Sequence, residues 1–263
     1  MCTTTASAEN SFGPSSNNFV GNSIFHLNIN SLRNKIDEFN IIINDVKPEV
    51  VCLTEHHLVE DEIFLYKLDG YSLVSYYCRN TCKDGGVAIY VKNCIKARKL
   101  HLKNVNCIDK NFEFCCAQIN YSGINHAVNI IAFYRTPDAN AIQFLEEMPV
   151  LLDELVNTSK SLVVCGDFNF HFDTNEKYVT EVIDIFAAFG LKGYVREPTR
   201  VGKTSASLID NFFTDISAES IKCEVIKTCV SDHFSQILFI NNVLQTFPKI
   251  TYIYINVFLM KLT

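Results

Sequence analysis

The 263-residue sequence has no tryptophan, no long apolar run and no excess of positive charge. No run reaches the ~18–20 consecutive apolar residues that a membrane-crossing helix needs, so no membrane partner is expected. Lysine and arginine number 23 against 29 aspartates and glutamates, a formal net charge of −6. That balance argues against a simple polyanion-binding protein, which is usually basic, although an acidic total can hide a basic rim around an acidic metal site. Residues 1–20 lack the charged and apolar regions of a secretory signal. The 11 cysteines are therefore expected to be reduced thiols of an intracellular protein, with Cys52, Cys94, Cys115, Cys116 and Cys165 buried in apolar runs. Cys78 and Cys82 have no second pair at zinc-ligand spacing behind them, so no zinc site is expected.

What is present is apolar and aromatic. Hydrophobic residues make up 48%, with 20 Phe and 11 Tyr, enough for a sizeable core and rich in strand formers. Residues 1–20 carry Ser, Thr and Asn without a period and are expected to be a disordered leader. A strand is expected over 23–28, then a helix from an N-cap at Ser31 to Lys47, stopped by Pro48. Further strands are expected over 50–54, 71–77, 86–91, 112–119, 127–134, 207–214 and 234–240, and helices over 140–157 and 175–189. Asp84-Gly85-Gly86 marks a turn. With no internal repeat and no clear linker, residues 21–240 read as one α/β domain whose helices cover packed sheets. The apolar tail, 241–263, is either an extra strand or sequence foreign to the domain.

The chain is organised around Val163-Val164-Cys165-Gly166-Asp167-Phe168-Asn169-Phe170. On a strand, side chains i and i+2 share a face. Asp167 and Asn169 are thus expected to project together from a strand end, where Gly166 permits close backbone approach. Polar residues also end other apolar strands: Asn28, Glu55, Tyr134, Asp210 with Asn211, and Asp232 with His233. Any one of them alone is an ordinary turn residue. Gathered on one edge, they would line a cleft with carboxylates, amides, a phenol and an imidazole. Clustered carboxylates repel unless a cation or a protonated histidine joins them. Hard oxygen donors with few thiols suit Mg²⁺ or Mn²⁺.

In order and spacing, Leu27-Asn28-Ile29-Asn30-Ser31-Leu32, Thr54-Glu55, Gly85-Gly86-Val87-Ala88-Ile89, Gly166-Asp167-Phe168-Asn169, Ile209-Asp210 and Ser231-Asp232-His233 resemble the endonuclease/exonuclease/phosphatase superfamily. Four segments look most like the apurinic-type endonuclease domain of LINE-type non-LTR retrotransposons. They are Ser31-Leu32-Arg33-Asn34-Lys35, Phe133-Tyr134-Arg135-Thr136-Pro137, Pro198-Thr199-Arg200 ahead of Ser207-x-x-Asp210, and the bare Ser231-Asp232-His233. The resemblance implies a four-layer αββα sandwich, two packed β-sheets with helices outside. It implies a Mg²⁺-dependent DNA endonuclease, with Mn²⁺ as the alternative metal, leaving 3′-hydroxyl and 5′-phosphate ends. On the same footing Glu55 is the main metal ligand with Asn28 beside it. Asp167 orients or deprotonates the attacking water, and Asn169 holds the phosphate or that water. His233 contacts the phosphoryl oxygen, with Asp210 fixing its tautomer. Asp232 supports the metal or the leaving oxygen, and Tyr134 hydrogen-bonds the phosphate.

Two segments depart from the family pattern. Tyr134-Arg135-Thr136-Pro137-Asp138 lacks the Asn of the Tyr-x-Pro-Asn run of repair relatives, and Glu55 is followed by His56-His57, of which His56 is expected at the surface. Arg196, Arg200 and Lys203 are the expected DNA contacts, whereas Lys92, Lys96, Arg98, Lys99 and Lys103 read as solvated charge. Two other readings stay open: a same-fold phosphodiesterase or phosphatase acting on RNA, nucleotides or lipids, and a catalytically silent truncated retroelement product. The reverse transcriptase domain of intact relatives is expected to be absent here, a monomer is expected, and DNA chemistry implies the nucleus rather than the cytoplasm.

Overall fold

The computed structural model describes residues 22–80, 82, 84–156 and 161–241. The expected leader, and the tail beyond Asn241, lie outside the described residues.

Two parallel strand pairs organise the chain. Strands β1 (Asn22–Asn28) and β2 (Val50–Thr54) run side by side, joined through helix α1 (Ile36–Val46). The plan recurs in β7 (Val128–Tyr134) and β8 (Ser161–Asp167), joined through α2 (Ala141–Val156). A parallel pair needs a crossover, and the crossover helix covers a face of its sheet. Nearly every residue of these four strands is buried, as expected for strands covered on both sides.

Antiparallel neighbours complete each sheet. One has the order β13 (Ile221–Ile226), β14 (Ser235–Ile240), β1, β2, β4 (Val87–Lys92), β3 (Tyr71–Tyr77). The other has the order β5 (Lys96–Lys99), β6 (Glu113–Asn120), β7, β8, β12 (Asp210–Thr214), β9 (Lys192–Gly193). Helix α3 (Lys177–Ala188) lies beside α2. A separate two-stranded hairpin is formed by β10 (Arg200–Val201) and β11 (Ala206–Ser207).

Strand alternation sorts the apolar side chains into three cores. Ile24, Cys52, Ile89, Ala117, Ile130, Cys165 and Leu238 belong to the core between the sheets. Phe25, Leu27, Val51 and Leu53 face α1 through Phe39 and Ile43. Phe133, Val164 and Phe213 face α2 and α3 through Phe144, Leu152 and Phe186. In that last core Phe186 stacks on Phe213 at 3.9 Å, and phenylalanine supplies the large aromatic area that tryptophan supplies elsewhere. The layers are helix, sheet, sheet, helix: the expected αββα sandwich. No helix among the described residues is long and apolar enough to cross a membrane.

Two expectations are corrected, and two strands are additions. Helix α1 begins at Ile36 rather than after Ser31. Ser31 and Leu32 donate their backbone N–H groups to the carbonyls of Glu55 (2.8 Å) and His56 (3.1 Å), so this segment is held against the end of β2 and cannot coil. Cys94 is exposed, because it lies in the turn between β4 and β5. β5, made of Lys96-Ala97-Arg98-Lys99, lacks the apolar pattern that signals a strand, whereas β13 carries the half-buried alternation Ile221-Lys222-Cys223-Glu224-Val225, which went unread. Both are sheet edges, where charged side chains discourage pairing with another chain.

Candidate active site

Asn28, Thr54, Tyr134 and Asp167 are the last residues of β1, β2, β7 and β8. The registers place Asn28 opposite Thr54, Tyr134 opposite Asp167, and Asp167 opposite Asp210. Asn28 and Asp167 continue the alternations Ile24-His26-Asn28 and Val163-Cys165-Asp167, so both lie on the faces that the sheets turn toward each other. The polar residues therefore cap the inter-sheet core along one edge. Gly166 is required there: a Cβ on it would lie 1.8 Å from the carbonyl oxygen of Phe133.

Asn28 links the sheets. Its amide nitrogen donates to Glu55 Oε1 and to Asp167 Oδ2, both at 2.8 Å, while its Oδ1 accepts the Asn30 N–H at 3.1 Å. Asn28 thus aligns two carboxylates, and Glu55 and Asp167 supply the oxygen donors. Burial would raise the Glu55 pKa, but hydrogen bonds from His57, Asn28 and Tyr134 outweigh it and hold the group at about 2. Glu55 stands at φ 52°, a left-handed conformation that a side chain adopts only where its surroundings impose it. The Tyr134 hydroxyl is bonded to Glu55, and burial, with the Glu55 and Asp167 charges, pushes its pKa up. The phenol is a neutral donor.

Across the cleft, His233 Nδ1 lies 2.9 Å from Asp210 Oδ2, and Nε2 lies 3.9 Å from Asp167 Oδ2. Burial would lower the His233 pKa, but the Asp210 carboxylate, helped by Asp167 and Asp232, lifts it to about 9. The imidazole is a cation at neutral pH. Asp167 is pushed up, first by burial and then by the charge of Asp210. Asp167, Asp210 and His233 bring one donor atom each within 4.8 Å of one another. Among the described residues Asp210 Oδ1 is buried without a hydrogen-bond partner. Converging carboxylates with an orphaned acceptor are the donor chemistry a hard divalent cation satisfies, so the residues present fit Mg²⁺ or Mn²⁺.

The other expected residues are placed as follows. Asn169 does not share the strand face: β8 ends at Asp167, and Asn169 turns to φ 49°. Its amide nitrogen donates to the Arg135 carbonyl at 2.6 Å and its backbone N–H to Asp167 Oδ1 at 3.0 Å, so it braces Asp167. Asp232 stands at the rim, paired with Arg200 Nε at 3.0 Å. Arg200, on β10, bridges to His233 through the backbone. Lys203 is exposed in the turn between β10 and β11. Arg196 folds its guanidinium onto the carbonyls of Gly193 and Val195. The buried Thr199 hydroxyl oxygen accepts the N–H groups of Ile209 and Asp210, clamping the hairpin to the site.

His56 is a correction. It is fully buried, its Nε2 lies 3.0 Å from the Tyr77 carbonyl, and its Nδ1 accepts the Leu58 N–H. Burial takes its pKa down to about 4, so it is a neutral structural group. Sequence reasoning missed two buried polar pairs beneath the site. His26 Nδ1 lies 2.6 Å from Gln236 Oε1 and 3.9 Å from Asp210 Oδ1. Arg79 pairs with Glu113 beside Tyr134. A charge inside an apolar run such as Phe112-Glu113-Phe114 signals that a partner exists, but the run does not say which.

The endonuclease/exonuclease/phosphatase family matches residues 25–233. Among solved structures, the endonuclease domain of TRAS1, a telomere-specific non-LTR retrotransposon, is similar at 15% identity and a TM-score of 0.66, over 84% of this chain and 98% of that one. The 3′-5′ exonuclease NExo from Neisseria meningitidis gives 16% and 0.66, over 83% and 99%. An AP endonuclease from Archaeoglobus fulgidus gives 15% and 0.64, over 83% and 99%. At such identities these structures attest to the fold. The family match takes in the strand-end residues from Asn28 through His233, and by it the chain belongs to the endonuclease/exonuclease/phosphatase family.

Proposed function

We propose that the chain is a Mg²⁺-dependent endonuclease of non-LTR retroelement origin that nicks DNA to 3′-hydroxyl and 5′-phosphate ends. The observation that carries this reading is the buried Asp167–Asp210–His233 cluster facing Glu55 across the Asn28 amide. Likeness to the TRAS1 endonuclease domain supports it. So do a Neisseria 3′ phosphatase bound to a product DNA hairpin and D. rerio TDP2 bound to a single-strand DNA product. Glu55, with Asp167 beside it, would hold the cation. When bound, the cation supplies charge neutralisation at the scissile phosphate.

The chain's own groups do the rest. Asp167, its proton affinity raised by burial, takes the proton of the attacking water. His233, cationic and aligned by Asp210, donates from Nε2 to a phosphoryl oxygen as charge builds there. Tyr134 keeps Glu55 in place, and Asn169 does the same for Asp167. Asp232 holds Arg200 at the rim, where Arg200 and Lys203 meet flanking phosphates. A DNA substrate would call for action in the nucleus.

The test is nicking of supercoiled plasmid. Mg²⁺ should support it, EDTA should abolish it, and Asp167→Ala or His233→Ala should slow it by about 10²–10⁴-fold, the worth of one proton-transfer residue. A folded wild-type protein that leaves the plasmid intact would move the reading to another phosphoester, such as a 3′-terminal phosphate.

A further inference from the structure

We infer that Arg79 and Glu113 are positioning residues that hold the Tyr134 hydroxyl on Glu55. The inference rests on reading Glu55 as the metal ligand.

Glu113 opens β6 directly opposite Tyr134, the last residue of β7. It is fully buried, and both its oxygens are engaged. Oε1 accepts Arg79 Nε at 2.5 Å and the Lys110 N–H at 2.9 Å, and Oε2 accepts the Gly86 N–H at 2.8 Å. Arg79 is thereby fixed with its guanidinium carbon 5.8 Å from the centre of the Tyr134 ring. Gly85 closes the pocket on the other side: a Cβ there would lie 2.3 Å from the guanidinium carbon. A cation over an aromatic face is attracted to it, so the pair fixes where the ring lies.

A second route leads from the same carboxylate to Glu55. Glu113 holds the Gly86 N–H, and the Gly85 carbonyl accepts the His57 N–H at 2.9 Å. The backbone after Glu55 therefore leans on the turn that Glu113 anchors.

Stability does not account for the pair. Among the described residues Arg79 Nη2 is buried without a hydrogen-bond partner, and a buried ion pair is often no more stable than apolar residues of the same volume. What the pair supplies that apolar residues would not is direction, for the ring and for the turn. Groups that orient metal ligands from behind typically change metal affinity or activity by ~10–100-fold when removed.

The test replaces both charges together, so that neither is left buried alone. Arg79→Gln with Glu113→Gln should give a folded protein by circular dichroism. Its Mg²⁺ affinity by calorimetry should fall by about 10–100-fold, as for Tyr134→Phe. Adding Tyr134→Phe to the double variant should cost nothing more. A folded double variant with wild-type Mg²⁺ affinity, or losses that multiply with those of Tyr134→Phe, would overturn the inference. Should the double variant not fold, Arg79→Lys keeps the charge but loses the planar group, and unchanged Mg²⁺ affinity in it would count equally against the idea. Metal binding is read without DNA. A wild-type protein that binds Mg²⁺ but cuts no DNA would sink the proposed function and leave the positioning roles standing, whereas one that binds no Mg²⁺ would sink the positioning roles.

Discussion

The Asp210 carboxylate holds the charge on His233, and that hold has a pH signature. The His233 pKa is raised from 6.5 to about 9 in the folded protein. Its contribution to stability is therefore complete below the unfolded value and is lost as pH rises through the folded one. In EDTA, the thermal midpoint should drop between pH ~7 and ~9.5, and Asp210→Asn should flatten that drop. A wild-type midpoint that does not change over this range would show that the pair is not charged as described. Gly166 makes a second residue-scale demand. Gly166→Ala would drive a Cβ into the Phe133 carbonyl, which is backbone and cannot rotate away. Urea unfolding should report a loss of about 1–3 kcal/mol or more. Gly166 was legible because a glycine breaking an apolar strand announces a close approach. Asn169 was misread because alternation holds only while the strand continues, and β8 stops two residues earlier.

Among elements, the buried parallel strands were legible from apolar runs alone, and β5 and β13 were not. Edge strands bury one side or less: β5 shows almost only charge, and β13 keeps an alternation, Ile221-Cys223-Val225, that a search for apolar runs passes over. The same limit applies inside the site. Strand-end residues could be collected by reading each strand to its end. The partners of Arg79 and His26 lie 34 and 210 residues away, and only the sheet order brings them together. The β10–β11 hairpin is the element whose role is most open to measurement. It is attached to His233 and Asp210 through Arg200 and Thr199, and Lys203 lies at its exposed end. Arg200→Ala and Lys203→Ala should each weaken DNA binding in EDTA and reduce the salt slope by about one. Unchanged affinity and slope in both would remove the hairpin from the interface.

For the whole molecule, the surplus of acidic residues matters less than where carboxylates are buried. A cation that binds the folded chain alone adds stability, about 2.7 kcal/mol at a hundred times its dissociation constant. Millimolar Mg²⁺ should therefore raise the thermal midpoint, and Glu55→Ala should abolish the rise. An equal rise in that variant would place the metal elsewhere.

The cleft has one further consequence. Asn28 ends a strand of one sheet, with Glu55 and His233 beside strands of that sheet, while Asp167 and Asp210 belong to the other, so the Asn28–Asp167 and Asp210–His233 bonds fasten the two sheets together at that end. The carboxylates packed around those fasteners push against one another. His233 offsets only part of that push, so without a metal ion the seam between the sheets should open first at this end. Amide protons there should exchange ahead of those at the far end of the same strands, and the enzyme should lose its working geometry while most of its secondary structure is still intact.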